Sequence, residues 1–348
     1  MVDAAISEAN ERAEFLYLGG TGSAEETLAA RFKIPFQAIR AGGLRGERPW
    51  TILWNGLKLM IGLAQAYSAI GRFRPDALLV SGGYMSVPVV LAGRLRRVPL
   101  LIYLPDIVPG LAVLRLSRLA SCVAVSFAEA ASFFEEGKAV VTGYPVRREF
   151  FGVDKVQARA RLQLEPDSPV VMVFGGSRGA HSINMAVARV LPGLLKESQV
   201  IHVHGPNDAT EAMISKEKLP PKLRERYRPC AYLHEEMPQA LAAADLVVAR
   251  AGASTLGEFP ALGLPSILVP YPYSGQHQNA NAEYMVSHGA AIKIRDADLQ
   301  QELLPVIMDL LKDREKLAEM GRHAQALSRP KAAHRIAAEL RSLANVSP

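Results

Sequence analysis

The run Val170-Val171-Met172-Val173-Phe174, followed by Gly175-Gly176-Ser177-Arg178-Gly179-Ala180, is the stretch of this sequence best suited to holding a charged ligand. A continuous apolar run of this length reads as a buried strand, and the glycines after it let the backbone approach a ligand closely. Ser177 can cap the helix that opens next and hydrogen-bond an anionic oxygen. The helix start adds free N–H groups and a partial positive charge. Together these make a pyrophosphate cradle. It lacks the Gly-Lys-Ser/Thr ending of a P-loop, which excludes a nucleoside triphosphatase of that type. A second strand exit, Ala249-Arg250-Ala251-Gly252-Ala253-Ser254-Thr255, offers a second set of amides. Glu258 lies one turn into its helix, where a carboxylate can accept both hydroxyls of a ribose. The apolar run Pro265 to Pro270 then leads into Tyr271-Pro272-Tyr273-Ser274-Gly275-Gln276-His277-Gln278-Asn279-Ala280-Asn281, which crowds amides and an imidazole into one loop. Such groups suit sugar hydroxyls, which need directional donors and acceptors. Each motif also has a plainer reading: a tight strand-to-helix turn, an acid favoured in a first helical turn, a polar loop with a capping residue.

The elements that must position these residues alternate along the chain. Strand-like runs at 15–18, 36–39, 77–80, 100–103, 123–125 and 139–141 each end near a glycine or proline, with helical stretches at 24–32, about 50–72 and 87–95 between them. The pattern restarts after Pro166: strands at 169–174, 200–203, 231–232, 246–248 and 266–269, with a helix running from the glycine loop to Leu195. Strands alternating with helices describe parallel sheets covered on both faces. The fold class is therefore α/β, with two doubly wound domains in tandem and ligands expected at the carboxyl ends of the strands. The polar, charged segment between Arg147 and Pro169 reads as a linker plus a first helix. The chain opens on a helix-like pattern at Val2, Ala5, Ile6, Ala9 and Ala13, whereas a doubly wound domain ordinarily opens on a strand that lies mid-sheet.

Composition narrows the classes. With 49% hydrophobic and 21% charged residues the 348-residue chain can bury two cores. Cys122 and Cys230 lie far apart without metal-like spacing and read as reduced, buried thiols. The net charge of +6 and pI of about 9.3 suit phosphorylated ligands or an anionic membrane surface. No lysine- or arginine-rich run supports nucleic acid as a partner. The N-terminus does not read as a signal peptide, and no run is long and apolar enough to span a bilayer. Around Trp50, Ile52, Leu53, Leu57, Leu59, Met60, Ile61 and Leu63, with Arg45, Arg48, Lys58, Arg72 and Arg74 near its ends, an interfacial surface and a core helix are both open readings.

Ordered blocks along nearly the whole chain resemble the MurG-type glycosyltransferases of family 28. They are Gly43-Leu44-Arg45-Gly46, Gly82-Gly83-Tyr84-Met85-Ser86-Val87-Pro88, Val125-Ser126-Phe127, Thr142-Gly143-Tyr144-Pro145-Val146-Arg147, Phe174 to Ala180, Arg250 to Thr255 with Glu258, Ala261 to Ser266, and His277-Gln278 before Asn281-Ala282. The resemblance implies the GT-B fold, two Rossmann-like domains facing a cleft. Its expected divisions are an acceptor and membrane-side domain at 1–147, a UDP-sugar domain at 148–330, and a terminal helix within 331–348 that crosses back. It implies inverting transfer of N-acetylglucosamine from UDP-N-acetylglucosamine to a polyprenyl-pyrophosphate-linked muramoyl-pentapeptide (lipid I to lipid II). The expected location is peripheral, on the cytoplasmic face of the cell membrane, at an anionic surface. No metal and no cofactor are expected. Carried over residue by residue, Gly176 and Ser177 should meet the diphosphate, Glu258 the ribose, and Gln278 and Asn281 the sugar. Arg147, Arg250, Ser254 and Thr255 complete the donor side, while Gly43, Arg45, Gly83, Tyr84 and Ser86 form the acceptor side.

Two departures stand out. The family opens on a strand and a Gly-Gly-Thr-Gly-Gly-His loop, and the similar Gly19-Gly20-Thr21-Gly22 lies too close to Gly43 to be that loop. The first strand, loop and histidine are therefore read as missing, with a misplaced start favoured over deletion, since a central hole would strand backbone groups. Where the family has His-Glu-Gln-Asn, this chain has Tyr103-Leu104-Pro105-Asp106. Asp106 is thus both a candidate base and a candidate cap for the next helix. A related enzyme with another lipid acceptor, and a donor-binding homologue without catalysis, remain open readings.

Overall fold

The computed structural model describes residues 13–42, 49–176, 179–273 and 277–345. The helix expected before Ala13 lies outside them. The chain divides into two compact units: residues 1–144 with 331–348, and residues 145–330.

The first unit runs β1 (Tyr17–Gly19), α1 (Ala24–Arg31), β2 (Phe36–Ala38), α2 (Pro49–Phe73), β3 (Leu78–Val80), α3 (Ser86–Leu95), β4 (Leu100–Leu104), α4 (Leu111–Leu116), β5 (Cys122–Val125), α5 (Ala128–Ala131) and β6 (Ala139–Val141). Every strand pairs in parallel, but in two separate sheets: β1-β2, and β3-β4-β5-β6. Among the described residues no ladder joins β1 to β3. Side chains bridge the two sheets instead. Leu18 of β1 and Leu78 of β3 pack into one cluster with Ala66 and Ile70 of α2 and Ala92 of α3.

The second unit runs α6 (Lys155–Arg161), β7 (Val170–Phe174), α7 (His181–Glu197), β8 (Gln199–Val203), α8 (Ala209–Glu217), α9 (Pro221–Arg224), β9 (Tyr227–Cys230), α10 (Met237–Ala243), β10 (Leu246–Ala249), α11 (Thr255–Leu262), β11 (Ser266–Leu268), α12 (His277–Ser287), β12 (Ala291–Lys293), α13 (Leu299–Lys312) and α14 (Arg314–Ala326). Its sheet is continuous and parallel, in the order β12-β11-β10-β7-β8-β9. The first strand, β7, is central, and the winding reverses between it and β10, where doubly wound sheets place their ligands. Val171, Val173, Val248 and Ile267 bury one face against Ile183, Leu191 and Leu194 of α7 and Leu303 and Ile307 of α13.

One strand departs from expectation. The edge strand β9 covers Tyr227–Cys230, not Ala231-Tyr232. Arg228 and Pro229 disguise it, and an edge position tolerates a proline that a central strand would not. The terminal helix α15 (Ala332–Asn345) follows α14 and returns to the first unit. There β4 alternates faces: Leu100, Ile102 and Leu104 bury on one side, Leu101 and Tyr103 on the other, under Ile336 of α15. Ile336→Ala removes that plug and should destabilise the protein by about 2–4 kcal/mol, read as a lowered urea midpoint.

Candidate functional site

The site in the second unit starts from the pairing of β7 with β10. Their last residues, Phe174 and Ala249, are register partners, so two loops leave neighbouring strands at one level. Each loop opens a helix that no side chain caps: α7 after Ala180, and α11 after Ser254. The amides of His181, Ser182 and Ile183, and of Gly252, Ala253 and Ser254, make no hydrogen bond among the described residues. Two unsatisfied helix starts, each carrying roughly half a positive charge, thus stand side by side. Gly176 (φ +93°) has open space where a side chain would project. Gly179 (φ +78°) is pressed so close to the His204 carbonyl that a Cβ would collide with it. Ser177, expected at the diphosphate, lies outside the described residues.

Glu258 sits in the first turn of α11, largely buried, and its carboxylate has no hydrogen-bond partner among the described residues. Burial pushes its pKa up to about 7, opposed in part by the charge of Arg147. Arg147 is exposed, its guanidinium 5.1 Å from the centre of the Phe150 ring.

The remaining donor-side residues fall into different settings. Arg250 is a brace. Its guanidinium reaches Asp296 at 2.5 Å, the Ser182 hydroxyl at 2.8 Å and the Val269 carbonyl at 3.2 Å, and it lies 5.3 Å over the Tyr271 ring. It thereby ties the exits of β10 and β11 and the start of α7 to the loop after β12. Thr255 is buried, its hydroxyl on the Gly252 carbonyl at 2.7 Å, whereas Ser254 stays partly open at the helix start. Gln278 accepts the Tyr271 amide at 2.9 Å through its side-chain oxygen. Asn281, expected at the sugar, is fully buried (0% exposed) and donates to the Ala251 carbonyl at 3.1 Å. In this state it fixes α12 to the β10 exit and presents no surface to a ligand. Asp296 and Ser182 escaped the sequence reading, and Tyr271 entered it only as the first residue of the polar loop. The brace joins residues 114 and 46 positions apart, and no local pattern marks such a pairing.

In the first unit Gly43 and Arg45 lie outside the described residues. Gly83 (φ +79°) and Ser86 close the turn after β3, where the buried Ser86 hydroxyl donates to the Gly83 carbonyl at 2.6 Å. Tyr84 is exposed and lines a cavity of about 340 Å³ with Gly20, Ile39, Trp54, Leu57 and Lys58. The 50–72 stretch forms α2, whose two halves differ in burial. Ala66, Ala69 and Ile70 enter the core, while Trp54, Leu57 and Met60 are exposed. Asp106 is half-buried beyond the end of β4. It does not cap α4, whose N-cap is Gly110. Tyr103 of the same tetrad is buried, bonded to the Ser126 hydroxyl at 2.7 Å, and burial holds its phenol well above the usual range.

With this geometry in view, two family models match the chain: the glycosyltransferase family 28 N-terminal domain over residues 5–125 and the C-terminal domain over 170–336. The chain belongs to glycosyltransferase family 28. It is 43% identical to the UDP-N-acetylglucosamine–N-acetylmuramyl-(pentapeptide) pyrophosphoryl-undecaprenol N-acetylglucosamine transferase of Roseiflexus sp., over 94% of this chain and 83% of that one. It is 39% identical to the protein of the same name from Desulforudis audaxviator, over 94% and 91%. Among solved structures, Acinetobacter baumannii MurG aligns with a TM-score of 0.75 at 24% identity, covering 97% of this chain and 94% of that one. The calicheamicin glycosyltransferase CalG4 aligns at 0.68 and 16%, covering 99% and 95%. These likenesses give the fold as GT-B.

As a family 28 glycosyltransferase the chain handles a nucleotide-linked sugar, and the described residues contain no cluster of side chains fit to hold a metal ion.

Glu258 gives this site a pH signature. Its carboxyl titrates near 7 when folded and near the ordinary 4.5 when unfolded. The folded chain holds the extra proton between those values, so unliganded stability falls as pH rises across that window. Glu258→Gln should be more stable than wild type at about pH 8, by up to about 3 kcal/mol, with the difference closing towards about pH 4.5. Urea unfolding at both pH values measures it.

Proposed function

We propose that this protein transfers N-acetylglucosamine from UDP-N-acetylglucosamine to the lipid-linked N-acetylmuramyl-pentapeptide, the reaction named for its relatives from Roseiflexus and Desulforudis. The observation that carries the reading is the pair of uncapped helix starts on adjacent strands with a largely buried Glu258 beside them that makes no side-chain hydrogen bond among the described residues. A diphosphate satisfies the amides, and ribose hydroxyls satisfy the carboxylate.

The chemistry is a single in-line displacement. The acceptor hydroxyl oxygen bonds to the anomeric carbon as the bond from that carbon to the diphosphate oxygen breaks, and UDP leaves with the electron pair. The amides at the two helix starts take up the growing negative charge, a fixed-dipole stabilisation that needs no rearrangement. The hydroxyl proton goes to a base, for which Asp106, half-buried beyond the end of β4, is the candidate. Gln278, whose side-chain oxygen accepts the Tyr271 amide, is the candidate reader of the sugar through its amide nitrogen. Asn281 acts by holding that loop.

A peripheral station on the cytoplasmic face of the membrane fits the exposed half of α2. Trp54, Leu57 and Met60 give apolar contact and Lys58 a charge for anionic headgroups, beside the Tyr84 cavity. No helix among the described residues is long and apolar enough to cross a membrane.

Turnover of UDP-N-acetylglucosamine with a short-chain lipid I analogue tests the proposal; transfer only to some other lipid-linked acceptor would reassign it. Asp106→Asn should lower kcat by about a hundredfold or more while leaving UDP affinity within about twofold. Normal turnover in that variant removes Asp106 as the base. Ribose donors favour the charged form of Glu258, so UDP binding near pH 7 should release a proton. Calorimetry in buffers of different ionisation enthalpy should show that release in wild type and not in Glu258→Gln.

A further inference from the structure

A polar chain runs out of the second unit's core to the start of α7. The Tyr227 hydroxyl meets His202 Nδ1 at 2.8 Å, and His202 Nε2 meets Asn184 Oδ1 at 2.9 Å. His202 is almost fully buried and desolvation pushes its pKa down to about 3, so the ring is neutral. An amide oxygen only accepts, which places the ring proton on Nε2 and makes Nδ1 the acceptor from Tyr227. Asn184 must then turn its NH2 outward. It donates to the His204 carbonyl at 2.8 Å and to Asp208 Oδ2 at 2.6 Å. The other carboxylate oxygen, Oδ1, meets His181 Nδ1 at 2.7 Å.

Asp208 occupies the N-cap position of α8, yet its side chain makes no cap bond there. An aspartate in that position ordinarily stabilises its helix by about 1 kcal/mol. Here the carboxylate is instead turned, nearly buried, onto His181 and Asn184. Burial alone would raise its pKa. The bonds from His181 and Asn184 outweigh that and hold it below the usual carboxylate range. The group that gains from this arrangement is His181, the first residue of α7, whose side chain is 72% exposed. With Nδ1–H directed at Asp208, Nε2 is the ring atom left to meet an incoming anion. It does so as a donor once the ring carries both protons.

We propose that His181 is a further donor-binding residue, its Nε2–H contacting the diphosphate held at the start of α7, with Asp208 and Asn184 as positioning residues that set the ring. The assignment rests on the donor-site reading above. It gives a role to the carboxylate beside the start of α7: one oxygen holds the ring through Nδ1 and the other holds Asn184.

Titration of the full-length chain with UDP and with uridine separates the contributions. Uridine lacks the diphosphate, so it reports the nucleoside pocket and the integrity of the fold. His181→Gln should weaken UDP about tenfold and uridine less than about twofold, a difference a merely structural role would not produce. His181→Arg, which restores a cationic donor, should recover most of the UDP affinity. Asp208→Asn should weaken UDP by a few fold and spare uridine. Unchanged UDP affinity in His181→Gln overturns the assignment, as does an equal loss of UDP and uridine that His181→Arg fails to restore. If the wild-type chain binds neither ligand, the donor-site reading fails and takes this assignment with it; uridine bound normally while only the His181 result fails leaves the donor site standing.

Discussion

The pairing of β7 with β10 is the constraint on which the donor side depends. A parallel sheet with helices on both faces must send each strand into a loop and then a helix, and the register decides where those loops start. Phe174 opposite Ala249 sets two loops at one height on neighbouring strands. Because neither helix is capped by a side chain, the same register that builds the core leaves unsatisfied donors together at one edge. Backbone amides in such a place are fixed dipoles held by the whole sheet. Their alignment needs no reorganisation when a charged group arrives.

Two charged residues beside those donors are held in opposite ways. Arg250 is buried with a carboxylate, a hydroxyl and a backbone carbonyl around its guanidinium, so its charge is compensated within the protein. Glu258 is largely buried with no side-chain hydrogen bond among the described residues, and that burial raises its pKa. A fold under selection for stability alone gains from a neutral residue at Glu258. Under the proposed function a ribose completes the hydrogen bonds of that carboxylate, and the ligand's affinity is then drawn partly from relieving the unliganded state.

Much of this was legible in the sequence because it is local. Apolar runs ending in Gly175-Gly176 or before Gly252 gave the strand exits, and Glu258 followed from its place one turn into a helix. The α/β class followed from alternation alone. The strand at Tyr227–Cys230 was hidden because its composition suits an edge rather than a core. The short β12 at Ala291–Lys293 carries too little pattern to stand out. Asn281 and Arg250 carried the right chemistry in the right motif, but burial and partner choice depend on residues distant in sequence. Asp208 was invisible for the same reason: its role exists only once β8 has brought it beside the start of α7.

The first unit reaches the same kind of architecture by a different balance. Its ladder is interrupted between β1 and β3 among the described residues, so hydrogen bonding does not hold β1-β2 to the larger sheet there. Packing carries that load, through α2, whose C-terminal half buries Ala66 and Ile70 against Leu18 on one side of the break and Leu78 on the other. Packing is less directional than a ladder, and it ties the placement of the β1 and β2 exits to α2 itself. The cavity at Tyr84 is lined by those exits and by Trp54, Leu57 and Lys58 of α2. Any force on the exposed apolar half of that helix, such as burial in a lipid interface, therefore acts on the walls of the cavity as well. In this unit the proposed membrane contact and the Tyr84 cavity share Trp54, Leu57 and Lys58 of one helix.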